Sequence, residues 1–215
     1  MSWSTGKDSA LALHRVRDAG ELDVVALMTT MTTAFGRVSM HGVREALLDA
    51  QCERVGLPCF KVPIPSPCPN EAYEREMASV LGRARAAGVT HVIFGDLFLA
   101  DLRAYREARL AEVGMASVFP LWMEPTRDLA AEMIRSGLKA TVTCIDPRKL
   151  ERSFAARTFD ADFVASLPSD VDPCGENGEF HTFAWAGPMF AKPIEVVTGE
   201  VVERDGFIFA DVLPM

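Results

Sequence analysis

The sequence predicts an α/β protein, with a helix-covered parallel sheet in the first half and a smaller α+β unit in the second. Three observations point there. Up to about residue 120, short apolar runs alternate with segments of helical periodicity that stop at glycine. The chain opens on a Ser/Thr/Gly/Lys loop that runs straight into an apolar helix. Beyond residue 180 the pattern becomes β-rich, and the last two runs meet at Arg204-Asp205-Gly206, a hairpin-turn signal.

The first helix is expected over Ala10 to Ala19, and Leu22 to Met28 (LDVVALM) reads as a buried strand. Val43 to Val55 is helical and ends at Gly56, with Pro58 beyond it. Cys59 to Ile64 is a strand, Asn70 to Ala87 a helix stopped by Gly88, and His91 to Phe94 a strand stopped by Gly95-Asp96. Asp101 to Val113 is helical up to Gly114, and Ser117 to Phe119 is a short strand before Pro120. Strands and helices of these lengths make βαβ units. In the second half, Pro125 to Ile134 reads as helix and Lys139 to Ile145 as strand. A polar stretch from Ser166 to Pro173 precedes three β-rich runs, Phe180 to Trp185, Ile194 to Val202 and Phe207 to Val212. A loop that opens a helix should follow a strand, yet only three or four residues precede this one, so a very short strand or a start upstream is expected.

With 49% hydrophobic residues the chain can bury a real core, and a net charge of -8 argues against a nucleic-acid groove or an anionic membrane surface. No apolar run reaches membrane-spanning length, and the start has no basic-then-apolar signal. Cys52, Cys59, Cys68, Cys144 and Cys174 form no CxxC pair and fit reduced thiols, so a cytoplasmic location is expected.

The opening loop carries the strongest chemical signal. A helix start offers unpaired N–H groups and a partial positive charge. Ser4, Thr5 and Ser9 add hydroxyls, Gly6 permits close backbone approach, and Lys7 adds a point charge. The same residues also suit an ordinary capped helix. The loop is not a Walker A loop, because Met1 and Asp8 stand where that motif has its first Gly and its Ser/Thr. Asp8 reads either as a first-turn acid favoured by the helix dipole or as a carboxylate sharing Mg²⁺ with bound phosphates.

Three further clusters stand out. In Met40-His41-Gly42-Val43-Arg44, at the expected start of the second helix, His41 and Arg44 lie three apart and could share a face, as ligand donors or simply as a helix start with an exposed Arg. Gly95 and Asp96 lie at the carboxyl end of a strand, where α/β sheets bind ligands, and Asp101, Arg103, Tyr105, Arg106 and Glu107 follow, which also suit a solvated face. Gly175-Glu176-Asn177-Gly178-Glu179-Phe180-His181-Thr182 puts two acids, a His and a Thr around a turn into a strand.

In this order, Ser-Thr-Gly-Lys-Asp-Ser, MHGVR, GDL before a charged helix, PLW at Pro120 to Trp122 and GENGEFHT resemble the N-type ATP pyrophosphatases (adenine nucleotide alpha hydrolase-like, PP-loop), and within them the diphthine–ammonia ligase family. The resemblance runs from Ser2 to about Pro193. It implies a Rossmann-like, HUP-type ATP-binding domain over 1–124 and an acceptor domain over 125–215. It implies a reaction in which a substrate carboxylate takes AMP from ATP, releasing pyrophosphate, and ammonia then displaces AMP to leave an amide. Ser4, Thr5, Gly6, Lys7 and Ser9 would hold the outer phosphates and Asp8 would place Mg²⁺. Backbone at Leu27, Met28 and Thr29 and at Gly95 and Asp96 would meet adenosine, with His41 and Arg44 beside the nucleotide. Arg103, Tyr105, Gly175, Glu176, Asn177, Gly178, Glu179 and Thr182 would face the acceptor, and Lys7, Asp8, Glu176, Glu179 and His181 would be catalytic.

Two positions depart from the family pattern. Thr5 replaces the first Gly of the loop's usual pair, a change expected to be mild because the residue stays small. The late motif reads ENGEFHT where the eukaryotic and archaeal ligases resemble EGGEYET, which resembles a bacterial branch and points to an acceptor other than diphthine. The expected partners are ATP, an unidentified carboxylate on a small molecule or protein side chain, free ammonia and, at most, a second copy in a homodimer. The competing readings are a tRNA-thiolating enzyme of the same loop type, with Cys144 and Cys174 as its thiols, and a non-catalytic ATP-binding module.

Overall fold

The computed structural model describes residues 1–215. The first half is built from α1 (Lys7–Ala19), β1 (Leu27–Thr32), β2 (Arg37–Val38), α2 (Glu45–Val55), β3 (Cys59–Ile64), α3 (Asn70–Ala86), β4 (His91–Ile93), α4 (Ala100–Glu112) and β5 (Ala116–Val118). The strands β1 and β3 pair in parallel, as do β4 and β5. The residues before α1 join the two pairs. Trp3 N–H donates to Met28 O (2.8 Å), Met28 N–H to Met1 O (2.8 Å) and Ser2 N–H to Ile93 O (2.9 Å). The residues before the loop therefore run between β1 and β4, with Ser2 bridged in parallel to Met28.

One strand begins later than its hydropathy suggests. The ladder starts at Leu27 rather than Leu22 and continues through Thr29, Thr30 and Thr32. Threonine is polar but β-branched, and the pleat suits it. The run before it does not pair with β3, and Val25 is exposed. Leu27, Thr29 and Met31 point inward, while Met28 and Thr30 lie on the other face.

The second half contains α5 (Thr126–Arg135), β6 (Lys139–Ile145), α6 (Ala161–Ser166), β7 (Phe180–Ala186), β8 (Val196–Arg204) and β9 (Phe207–Pro214). Its sheet is antiparallel, in the order β7-β6-β9-β8. Arg204 pairs with Phe207 across a two-residue turn in which Asp205 and Gly206 have φ of 52° and 80°, the geometry that matches strand twist. Helix α6, absent from the hydropathy pattern, is set by Asp160, whose carboxylate accepts the Phe163 N–H at 2.8 Å.

One apolar core serves both halves. Leu11, Leu13, Leu27, Leu47 and Leu48 belong to the same buried cluster as Val142, Ile145, Phe163, Phe180 and Phe183. Each buried Leu or Phe contributes about 2 kcal/mol. A smaller cluster of Leu81, Val92, Phe94, Leu110 and Met115 packs under β4. This shared core holds β7 against the start of α1. No helix is long and apolar enough to cross a membrane.

Candidate active site

A cavity of about 390 Å³ opens at the carboxyl ends of the central strands. Ser4, Asp8 and Ser9 line one wall, and Gly175, Glu176, His181 and Thr182 line the facing one. Met28, Thr30, His41, Gly95 and Asp96 complete it on the sheet side, and Tyr73, Met77, Phe94, Leu99 and Leu102 give it an apolar end.

The loop is held by hydrogen bonds within itself and to β7. Gly6 N–H donates to Ser4 Oγ (3.3 Å), Ser9 Oγ–H donates to Gly6 O (2.9 Å), and the Ser4 and Ser9 hydroxyls lie 3.2 Å apart. Lys7 N–H donates to Thr182 Oγ1 (3.1 Å), and Ala184 N–H donates to Thr5 O (2.9 Å). The amides of Asp8 and Ser9 have no backbone acceptor, which is the anion-binding state of a helix start. Gly6 and Gly95 are required by close approach. A Cβ on Gly6 would lie 2.9 Å from His41 Cε1, and one on Gly95 would lie 2.9 Å from the Asp8 carbonyl carbon and the Ser9 nitrogen. Gly95 thus serves the contact between strand end and helix start, a reason that its sequence position did not reveal.

Thr5 is a correction to the sequence reading. Its φ is 71°, in the left-handed region where a β-branched residue is strained by about 1–2 kcal/mol, and its buried Oγ1 has no partner. A glycine would take this φ without strain, so Thr at this position is costly rather than mild.

Lys7 departs from the simple picture of a phosphate-facing cation. It is 1% exposed, its Nζ lies 2.9 Å from Asp8 Oδ2 and also donates to Cys174 O, and the Phe159 and Phe180 rings flank it at 5.4 and 5.1 Å. Burial works to lower its pKa, but Asp8 together with Cys174 and Glu176 holds it raised. Burial pushes the Asp8 carboxyl up against the pull of Lys7.

The two histidines are neutral. The His41 and His181 rings are 4.7 Å apart. Burial lowers His41 to about 4 and His181 to about 3. His41 Nδ1–H donates to Thr182 O (3.0 Å), which fixes its tautomer and leaves Nε2 as an acceptor. Glu176 has the opposite shift. Burial raises it to about 7, even though its Oε1 accepts the Leu97 N–H at 2.7 Å. A carboxyl poised near neutrality, in a cleft, has the protonation range of a general acid or base.

Other expected residues lie apart from this cavity. Helix α2 starts at Glu45, so His41 and Arg44 precede it and do not share a helix face as expected, and Arg44 is bound to Asp211, which it shares with Arg37. Arg103 pairs with Glu107 (2.7 Å) and lies over Phe119 and Trp122. Tyr105, Asn177, Gly178, Leu27 and Thr29 do not line the cavity, and the Thr29 hydroxyl donates to Trp3 O at 2.7 Å. Glu179 is 2% exposed and accepts Asp172 N–H and Asn177 Nδ2, so it shapes the 172–179 turn from behind. Arg106, named in the charged cluster but expected in no particular role, belongs to the site. It lines the cavity, pairs with Asp96 (3.0 Å) and stacks on Phe94 at 4.3 Å.

Family models decide the kinship. That for the diphthamide synthase N-terminal domain matches residues 1–117, and that for the C-terminal domain matches residues 125–210. The chain belongs to the diphthamide synthase family. A diphthine–ammonia ligase of Bos taurus is 24% identical over 97% of this chain and 86% of its own length. Proteins of the same name from Schizosaccharomyces pombe and Homo sapiens are 30% and 34% identical over 49% and 43% of this chain. Those two matches span only 19% and 36% of the relatives' own length. In this chain the two matched regions supply the two facing walls of the cavity.

Proposed function

We propose that this chain is an ATP-dependent, AMP-forming amide ligase of the diphthine–ammonia ligase type. The observation that carries the reading is the opposition of a phosphate-suited helix start, Ser4 to Ser9, to the Gly175–Thr182 wall across one cavity at the strand ends. Residues 1–124 carry the nucleotide in this reading, and residues 125–215 carry the acceptor.

The acceptor carboxylate attacks the α-phosphorus and forms an acyl–AMP while pyrophosphate leaves. Ammonia then attacks the acyl carbon, AMP leaves, and an amide and one proton remain. The Asp8 and Ser9 amides and the Ser4 and Ser9 hydroxyls stabilise charge that builds on the departing pyrophosphate. Glu176, raised to about 7, takes the proton that the amine must lose. His181 and Thr182 shape the wall beside the α-phosphate, and Lys7 ties that wall to the loop through Cys174 O.

Mg²⁺ fits this donor set. The one arginine lining the cavity, Arg106, is paired with Asp96, both histidines are neutral, and Asp8 and Glu176 face the same space. A polyphosphate there needs a divalent counter-ion. No group of three or more His, Cys, Asp or Glu side chains is arranged to hold one unaided. Both Asp8 oxygens accept from Lys7 Nζ, at 3.0 and 2.9 Å, so an ion held by Asp8 and substrate phosphates would share that carboxylate with Lys7.

The acceptor class is a carboxylate, on a small molecule or a protein side chain, and the ENGEFHT motif favours one other than the diphthine of the relatives' name. Thiolation of tRNA through Cys144 or Cys174 is disfavoured by the burial of both thiols. Burial pushes Cys144 up to about 12 and raises Cys174, whose Sγ–H donates to Thr126 O at 3.3 Å. Incubation with Mg-ATP, ammonium and a panel of carboxylic acids, followed by nucleotide chromatography, tests the proposal. AMP and pyrophosphate that depend on one acid are expected, and ADP as the product would refute it.

A further inference from the structure

We propose that Gln51 is the positioning residue of the phosphate loop, its buried amide holding Thr5 in the left-handed region and setting β7 in register against the loop. Gln51 lies on the core-facing side of α2 among Leu47, Leu48, Cys52 and Val55, where an apolar side chain would be ordinary, and it is 0% exposed. Its side chain is fully used. Trp3 Nε1–H donates to its Oε1 at 2.8 Å, and its Nε2 donates to Thr5 O at 3.0 Å and to Ala184 O at 2.6 Å. An indole N–H can only donate and carbonyls can only accept, so these partners fix the orientation of the amide.

The three partners belong to the run before the loop, the phosphate loop and the late-motif strand, and lie 48, 46 and 133 residues away in sequence. One terminal group with one acceptor and two donors meets all of them. Methionine has the reach but no donor, and an ionised glutamate would oppose both carbonyls. Thr5 O is the critical atom. It accepts from Gln51 and from Ala184 N–H (2.9 Å), and it belongs to the residue whose φ of 71° is strained. Two donors on that carbonyl hold the peptide plane that aims the following amides toward the cavity. Gln51 itself does not line the cavity, so any effect on ligand binding must pass through the loop.

The inference rests on the reading of this loop as an ATP site, and calorimetry separates the two. The probe is α,β-methylene-ATP with Mg²⁺, titrated into the full chain and into Gln51→Met, Thr5→Gly and the double variant, with circular dichroism to confirm folding. Gln51→Met is expected to weaken binding by about fivefold or more, the scale of one lost hydrogen bond to the loop. A glycine takes positive φ unaided, so in the Thr5→Gly background the same substitution should cost less than about fivefold. A general packing role would give the same loss in both backgrounds and would overturn the proposal, as would a loss below about fivefold in the otherwise unaltered chain. If Gln51→Met does not fold, the double variant decides: affinity within about fivefold of Thr5→Gly supports the proposal, whereas a greater loss or no folding refutes it. If the unaltered chain does not bind the analogue, the ATP reading falls and this inference with it.

Discussion

Thr5 and Lys7 show what single residues contribute to this site. Thr5 pairs a strained backbone with an unpartnered buried hydroxyl, a combination that persists only where the surroundings impose it. Thr5→Gly should therefore raise stability by about 1 kcal/mol in urea unfolding, the relief of strain outweighing the extra entropy of glycine. A loss of stability would show that the loop is unstrained. Lys7 is buried against Asp8, so Lys7→Met should cost about 3 kcal/mol by leaving Asp8 without its partner, besides any effect on turnover. An unchanged urea midpoint would contradict this. The loop was legible because its hydroxyls, glycine and acid are contiguous. The direction of Lys7 was not, because it depends on Cys174 O, 167 residues away. Gln51 left no signal for the same reason, since a glutamine in a helix reads as a solvent-facing residue until its partners are known.

At the scale of elements, most of the alternation was readable. The bounds of β3 and β6 are those of their apolar runs, and helices α2, α3 and α4 end near the glycines that stop them. The misplaced start of β1 came from weighting apolar content over β-branching in Thr29, Thr30 and Thr32. The bridge of Ser2 to Met28 was hidden because so short a run carries no period. The contact between β4 and α1 is equally non-local, and it is tight. Gly95→Ala forces a methyl group onto backbone at 2.9 Å and should destabilise the protein by about 2 kcal/mol while disturbing the first turn of α1. Thermal unfolding at the wild-type midpoint would contradict that packing.

The whole molecule joins two walls over one core, and its pH response should report the charges trapped between them. His41 and His181 ionise near 6.5 when unfolded but only at about 4 and 3 when folded. Below pH 6.5 the unfolded chain binds more protons at these sites, so their contribution is full above 6.5 and is lost as pH falls toward those values. Glu176 acts oppositely. Its pKa rises from 4.5 to about 7, so the folded chain holds the extra proton in that window and loses stability as pH rises through it. Glu176→Gln should therefore gain stability relative to the unaltered chain on going from pH 5 to pH 8, as read from melting curves at each pH. A pH-independent difference would remove the buried carboxyl from the account.

The central claim is that ATP lies with its outer phosphates on the Ser4–Ser9 turn and its α-phosphorus toward Glu176 and Thr182. A crystal structure with α,β-methylene-ATP and Mg²⁺ tests it most directly. The β- and γ-phosphate oxygens are expected on the Asp8 and Ser9 amides, and a triphosphate bound away from that turn, or one turned so that its γ-phosphate faces Glu176, would contradict the claim.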